Sequence, residues 1–140
     1  GSHRAWRDLL PEGRIRGIDI DEATLFEEEG IQTISGDQIR VESLSAAVEA
    51  LHGRGGWDLV VDDGWHQPEA GLKSMQVLLP QLRVGGFYVL EDINAMSYGR
   101  LWRRFLTRLP ENFSSAVVTQ DNVEQLGKYG YEVIVIRRTS

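Results

Sequence analysis

The segment Trp57 to Val61 (WDLVV) constrains the fold most, because it reads as a continuous apolar strand and runs straight into Asp62 and Asp63. A strand with one wet face alternates apolar and polar residues. A strand without that alternation is buried on both faces, as in a parallel sheet flanked by helices. The rest of the chain fits such a sheet. Ala5, Trp6, Leu9 and Leu10 recur at helical spacing, and Pro11-Glu12-Gly13 stops that helix. Arg14 to Ile20 alternates like a strand, and Glu22 to Gly30 reads as a short helix closed by its glycine. Ile31 to Ser35 is a second strand, and Val41 to Leu51 is an amphipathic helix broken by the glycines of 53–56.

After the paired aspartates, Pro68 opens a helix whose apolar stripe runs from Ala70 to Leu82. Val84-Gly85-Gly86 turns the chain into a strand, Phe87 to Leu90, that ends in Glu91-Asp92. Tyr98 to Leu109 is a further helix. Ser115 to Thr119 and Tyr131 to Arg137 are rich in β-branched residues with no long helix between them, which predicts an antiparallel pair.

Alternating strands and helices predict one α/β domain over residues 1–140, with a mostly parallel sheet covered on both faces. Ligands in such sheets bind beyond the carboxyl ends of the strands. The acidic clusters fall there: Asp19, Asp37, Asp62 with Asp63, and Glu91 with Asp92, all expected on one rim. A doubly wound domain usually begins with a strand and a Gly-rich turn, whereas this chain begins at the helix. The central strand, between those at Arg14 and Trp57, is therefore expected from upstream sequence or a substitute, so the domain reads as N-terminally incomplete. Gly1-Ser2-His3 fits either a tag remnant or a native helix start.

Composition narrows the class by exclusion. No apolar run approaches the roughly 18 residues of a membrane span. The net charge of -6 argues against general nucleic-acid affinity, which needs a basic surface. The absence of cysteine excludes disulfides and thiolate metal sites, and a reducing cytoplasm fits it. Oligomeric state is left open, a homo-oligomer included.

The spaced motifs Asp62-Asp63-Gly64-Trp65-His66 and Glu91-Asp92 resemble the macrocin- and mycinamicin-type S-adenosylmethionine-dependent sugar O-methyltransferases. Cephalosporin hydroxylase-like proteins are more distant relatives. The family pattern runs from Asp-Asp-Gly-Ser-His, through a helix and a Gly-Gly turn, to a strand ending Glu-Asp. Gly17-Ile18-Asp19-Ile20 and Gly36-Asp37-Gln38 match further blocks, and Ser2 to Pro11 resembles the helix after the family's Gly-rich loop. The resemblance covers Ser2 to about Asp92. That loop is not in this chain, and Trp65 stands where the family has serine. The resemblance implies a Rossmann-like class I methyltransferase fold. It also implies a magnesium-dependent transfer of methyl to a hydroxyl, on a sugar of a glycosylated natural product, in antibiotic biosynthesis. A non-catalytic module that keeps the fold without the cofactor loop is the alternative. A nicotinamide-dependent Rossmann enzyme is a weaker one, since it gives Glu91-Asp92 no role.

Roles follow residue by residue, each beside a plainer reading. Asp19 would accept from the ribose hydroxyls of the cofactor, or cap the next helix. Gly36 would let a flat ring approach the backbone, with Asp37 and Gln38 at the adenine; a capped turn is the alternative. The resemblance assigns Asp62 to the cofactor side and Asp63 to the metal, with Glu91 and Asp92 completing a carboxylate set. Hard oxygen ligands suit magnesium, and three crowded carboxylates repel one another without a cation. His66 would take the proton of the acceptor hydroxyl, or merely precede the Pro68 helix. Trp65 reads equally as an aromatic wall for substrate or as packing. Arg100, Arg103, Arg104 and Arg108 read as a solvated face.

Overall fold

A computed structural model describes residues 2–51, 56–119 and 130–140. Most of the expected glycine break at 53–56 and the connection between the last two strands lie outside the described residues. The chain divides into two compact units, residues 1–53 and 54–140.

The first unit holds α1 (Ser2–Leu9), β1 (Ile15–Asp19), β2 (Glu27–Glu28), β3 (Ile31–Ser35) and α2 (Val41–Leu51). β1 and β3 are parallel, with Asp19 opposite Ser35. β2 adds an antiparallel edge to β3. The expected Glu22–Gly30 helix does not form. Asp21 caps a single 3-10 turn, Glu22–Thr24, and Thr33 Oγ1 then bonds the Phe26 main chain on both sides. These local bonds offer the backbone an alternative to helix, and Gly30, at φ 78, turns β2 back into β3. α2 buries Leu44, Ala47, Val48 and Leu51 along one stripe, as its periodicity requires.

The second unit holds β4 (Trp57–Asp62), α3 (Pro68–Leu78), β5 (Leu82–Asn94), α4 (Ala95–Leu106), β6 (Phe113–Thr119) and β7 (Tyr131–Arg138). Its sheet has the order β4-β5-β7-β6. β4 and β5 are parallel, and the terminal pair is antiparallel as expected. The strands thus form two sheets rather than one, and β1 and β4, expected to flank a further strand, are each at a sheet edge.

Helix boundaries moved for identifiable reasons. α3 ends at Leu78 and gives way to a 3-10 turn, Leu79–Gln81, because Pro80 has no N–H to continue the ladder. α4 starts three residues before Tyr98 because the Asn94 side chain accepts from Ser97 N as an N-cap. The Gly-Gly turn survives as an irregularity within β5. Trp57 opposes Leu82 and Leu59 opposes Phe87, so Arg83 to Gly86 bulge out against Asp58 alone.

The core of this unit lies on one face of its sheet. Tyr88 and Leu90 on β5 stand opposite Ile136 and Ile134 on β7, with Met75 and Leu79 from the α3 side and Trp102 from α4. Each such side chain contributes ~2 kcal/mol on burial. The opposite face carries Leu59, Phe87 and Val118, exposed by 37%, 39% and 52%. No helix among the described residues is long and apolar enough to cross a membrane.

Candidate metal and cofactor site

Parallel pairing carries each acidic motif to the end of its own strand pair. In the second unit, Asp62 closes β4 opposite Leu90, where its pairing with β5 stops, so Asp63 and the Glu91-Asp92 pair both lie just beyond the last paired residues of the two strands. The acids are shared between the units: Asp19 and Asp37 lie in the first, and Asp62, Asp63, Glu91 and Asp92 in the second.

Backbone geometry then gathers part of the second cluster. Leu90 opposes Ile134 and Ile93 opposes Glu132, so Glu91 and Asp92 face only Val133. Two residues against one is a β-bulge, a device that re-aims side chains at strand ends. Asp92 sits within it at φ 52, and His66 lies at φ 54. Left-handed backbone at non-glycine residues is uncommon and costs ~1–2 kcal/mol. Among the described residues, these two are the only non-glycine positions with positive φ, and both carry side chains of the cluster.

The result is a triple of Asp63, His66 and Asp92, each exposed, whose ligand atoms lie within 4.8 Å of one another. His66 Nε2 lies 3.9 Å from Asp63 Oδ1, beyond hydrogen-bond length. Glu91 is half-buried beside the triple rather than within it. Burial raises its carboxyl above the usual range, the charges of Asp63 and Asp92 add to this, and His66 opposes it. A cation would relieve that repulsion. Two carboxylates within reach of one ion, with a third adjacent, are a donor set of hard oxygens that fits magnesium.

Asp62 is placed differently. It is buried, and the fully buried Tyr88 donates its hydroxyl to Asp62 Oδ2. Burial, then the Asp62 charge, pushes the Tyr88 phenol well above its ordinary value, so it remains a donor across the neutral range. Sequence reading missed Tyr88. The available signal was a tyrosine inside an apolar strand, whose hydroxyl needs a partner when buried.

In the first unit, Asp19 is exposed and its Oδ1 accepts from Asp21 N. Asp37 is half-buried, and its Oδ1 accepts from Ile39 N in an Asx turn, while its own N–H donates to Ser43 Oγ. Gln38 follows at the same end. A Cβ at Gly36 would lie 2.6 Å from Ile18 Cγ2 and 3.1 Å from Ala47 Cβ. Packing alone therefore requires that glycine. Trp65, between Asp63 and His66 in the sequence, is 59% exposed. Of the arginine stripe, Arg103 pairs with the buried Glu132, and the other three are exposed.

Comparison with known proteins gives these features a context. No family model matches the chain. Over 93 residues, 66% of this chain, it is 39% identical to mycinamicin VI 2''-O-methyltransferase of Micromonospora griseorubida. It is 38% identical over the same length to demethylmacrocin O-methyltransferase of Streptomyces fradiae. This chain is similar in sequence to the mycinamicin- and macrocin-type sugar O-methyltransferases. It matches about a quarter of these relatives' length, 23% of each. Among solved structures, it is similar to the MycE methyltransferase of the mycinamycin biosynthetic pathway in complex with Mg and SAH. The TM-score is 0.72 at 25% identity, over 99% of this chain and 40% of that one. The plantazolicin methyltransferase BpumL, at 12% identity, TM-score 0.71, and 98% and 72% coverage, shares the fold alone. The chain thus has the Rossmann-like α/β fold that the resemblance implies.

Proposed function

We propose that this chain is part of a magnesium-dependent O-methyltransferase that moves a methyl group from S-adenosylmethionine to a hydroxyl on a sugar of a glycosylated natural product. The observation that carries the reading is the Asp63, His66 and Asp92 triple at the ends of two paired parallel strands, held by two left-handed residues. Support comes from the relatives, named as sugar O-methyltransferases, and from MycE, solved with Mg, SAH and Mycinamycin VI.

When bound, S-adenosylmethionine supplies an electrophilic methyl and a divalent cation supplies positive charge beside the acceptor hydroxyl. The chain's own residues do the rest. Asp63 and Asp92 hold the cation, with Glu91 adjacent. His66 accepts the hydroxyl proton at its imidazole. Asp19 takes the ribose hydroxyls, Gly36, Asp37 and Gln38 take the adenine, and Asp62 lies on the cofactor side. Trp65 offers the acceptor a flat apolar face. Its partner is a small glycoside, and a cytoplasmic setting fits the absence of cysteine.

The test is Asp63→Ala in the full-length protein, assayed for methyl transfer across a magnesium titration. Turnover should fall by at least a hundredfold. Parent turnover that is unchanged by removing divalent metal would reject the metal assignment. Calorimetry with S-adenosylhomocysteine separates the enzyme from a module without cofactor, since the enzyme binds it.

A further inference from the structure

We propose that Tyr98 and Gln67 form a positioning pair that sets the separation of His66 from Asp92. The inference rests on reading that cluster as a metal-and-base site. Gln67 directly follows the left-handed His66 and stands at the N-cap of α3. Its side chain makes no cap bond to that helix. Instead, Gln67 Oε1 accepts from Tyr98 Oη at 2.9 Å. The Gln67 carbonyl meanwhile accepts from Gly71 N and starts α3.

Tyr98 stands in the first turn of α4, which Asn94 caps two residues after the left-handed Asp92. Its ring packs against the core around Trp102, so the hydroxyl reaches outward from a fixed base. One hydrogen bond therefore ties the first turn of α3 to the first turn of α4. His66 and Asp92, the two residues held in uncommon backbone, lie just upstream of those turns. A left-handed residue persists only where its surroundings over-determine it. A single hydrogen bond is comparable in strength to the cost of one such residue, so losing it frees the two loops to relax apart.

The experiment compares the full-length parent with Tyr98→Phe, Gln67→Leu and the double variant. Mn2+ serves as the metal probe and S-adenosylhomocysteine as the cofactor probe, both by calorimetry. Each single variant should weaken Mn2+ binding about fivefold, and the double no more than either, because both remove the same bond. Affinity for S-adenosylhomocysteine should stay within about twofold, and kcat should fall while KM for S-adenosylmethionine holds. Mn2+ affinity within about twofold of parent in both single variants, or losses that multiply in the double, overturns the proposal alone. A parent that binds no Mn2+ overturns the metal reading and the proposal with it. Should Tyr98→Phe fail to fold, Gln67→Leu decides the matter, since it leaves the Tyr98 ring in its packing against the core.

Discussion

Tyr88→Phe tests how the strand end that carries Asp62 and Asp63 is anchored. The ring is fully buried and its hydroxyl donates to Asp62, itself only 7% exposed. Phenylalanine keeps the packing and removes one donor to a buried carboxylate. Hydrogen bonds to charged groups contribute ~1.5–3 kcal/mol, so a loss of about 2 kcal/mol is expected. With unfolding entropy of ~2.1 cal/mol/K per residue, the 140 residues give ~0.3 kcal/mol/K, and Tm should fall by about 7 °C. Urea unfolding and thermal melts of parent, Tyr88→Phe, Asp62→Leu, which leaves the hydroxyl no acceptor there, and the double variant measure it. The double should lose clearly less than the two singles together, since both remove one bond. Additive losses, or a Tyr88→Phe change below about 0.5 kcal/mol, would show that the bond does not anchor the strand end.

Glu91 gives a prediction with a definite sign. Its carboxyl is raised in the folded protein by burial and by Asp63 and Asp92, so the folded state holds that proton more tightly than the unfolded chain does. Charged Glu91 therefore costs stability above its folded pKa, and the cost fades as pH falls toward the ordinary carboxylate range. Without metal, Glu91→Gln should be more stable than parent at pH 7, with the gain gone below about pH 4. Added magnesium should stabilise the parent more than this variant; melts across pH with and without the metal read both. Gly71→Ala probes the approach of α3 to α4. The new Cβ would sit 3.0 Å from Trp102 Cη2 and 3.4 Å from Leu90 Cδ2, and the overpacking should outweigh the helix-propensity gain by about 1 kcal/mol in urea unfolding.

The elements that sequence reading found were those written in periodic burial. Trp57 to Val61 and the strand after Gly86 are apolar runs, a local pattern, although in the structure only the Tyr88 and Leu90 face is packed into the core while Leu59 and Phe87 stay exposed on the other. The Glu22–Gly30 segment misled because its helix-like composition lost to two short-range bonds, the Asp21 cap and the Thr33 hydroxyl on Phe26. The Asn94 cap is a local signal that lies just ahead of the apolar stripe, where its side chain accepts from Ser97 N.

The acidic motifs themselves were determined by the sequence: which carboxylates exist, that each follows a strand, and that a histidine lies three residues after Asp63. The tertiary structure decided which of them meet. The bulge opposite Val133 and the left-handed Asp92 bring Asp92 to Asp63 and His66, while Glu91 stays beside them and Asp62 turns into the core toward Tyr88. Those outcomes depend on register between β5 and β7, whose paired residues lie about forty positions apart in the chain. A bulge adds a residue to one strand with no counterpart on the other, so its position is defined only against the far strand, which no local periodicity records.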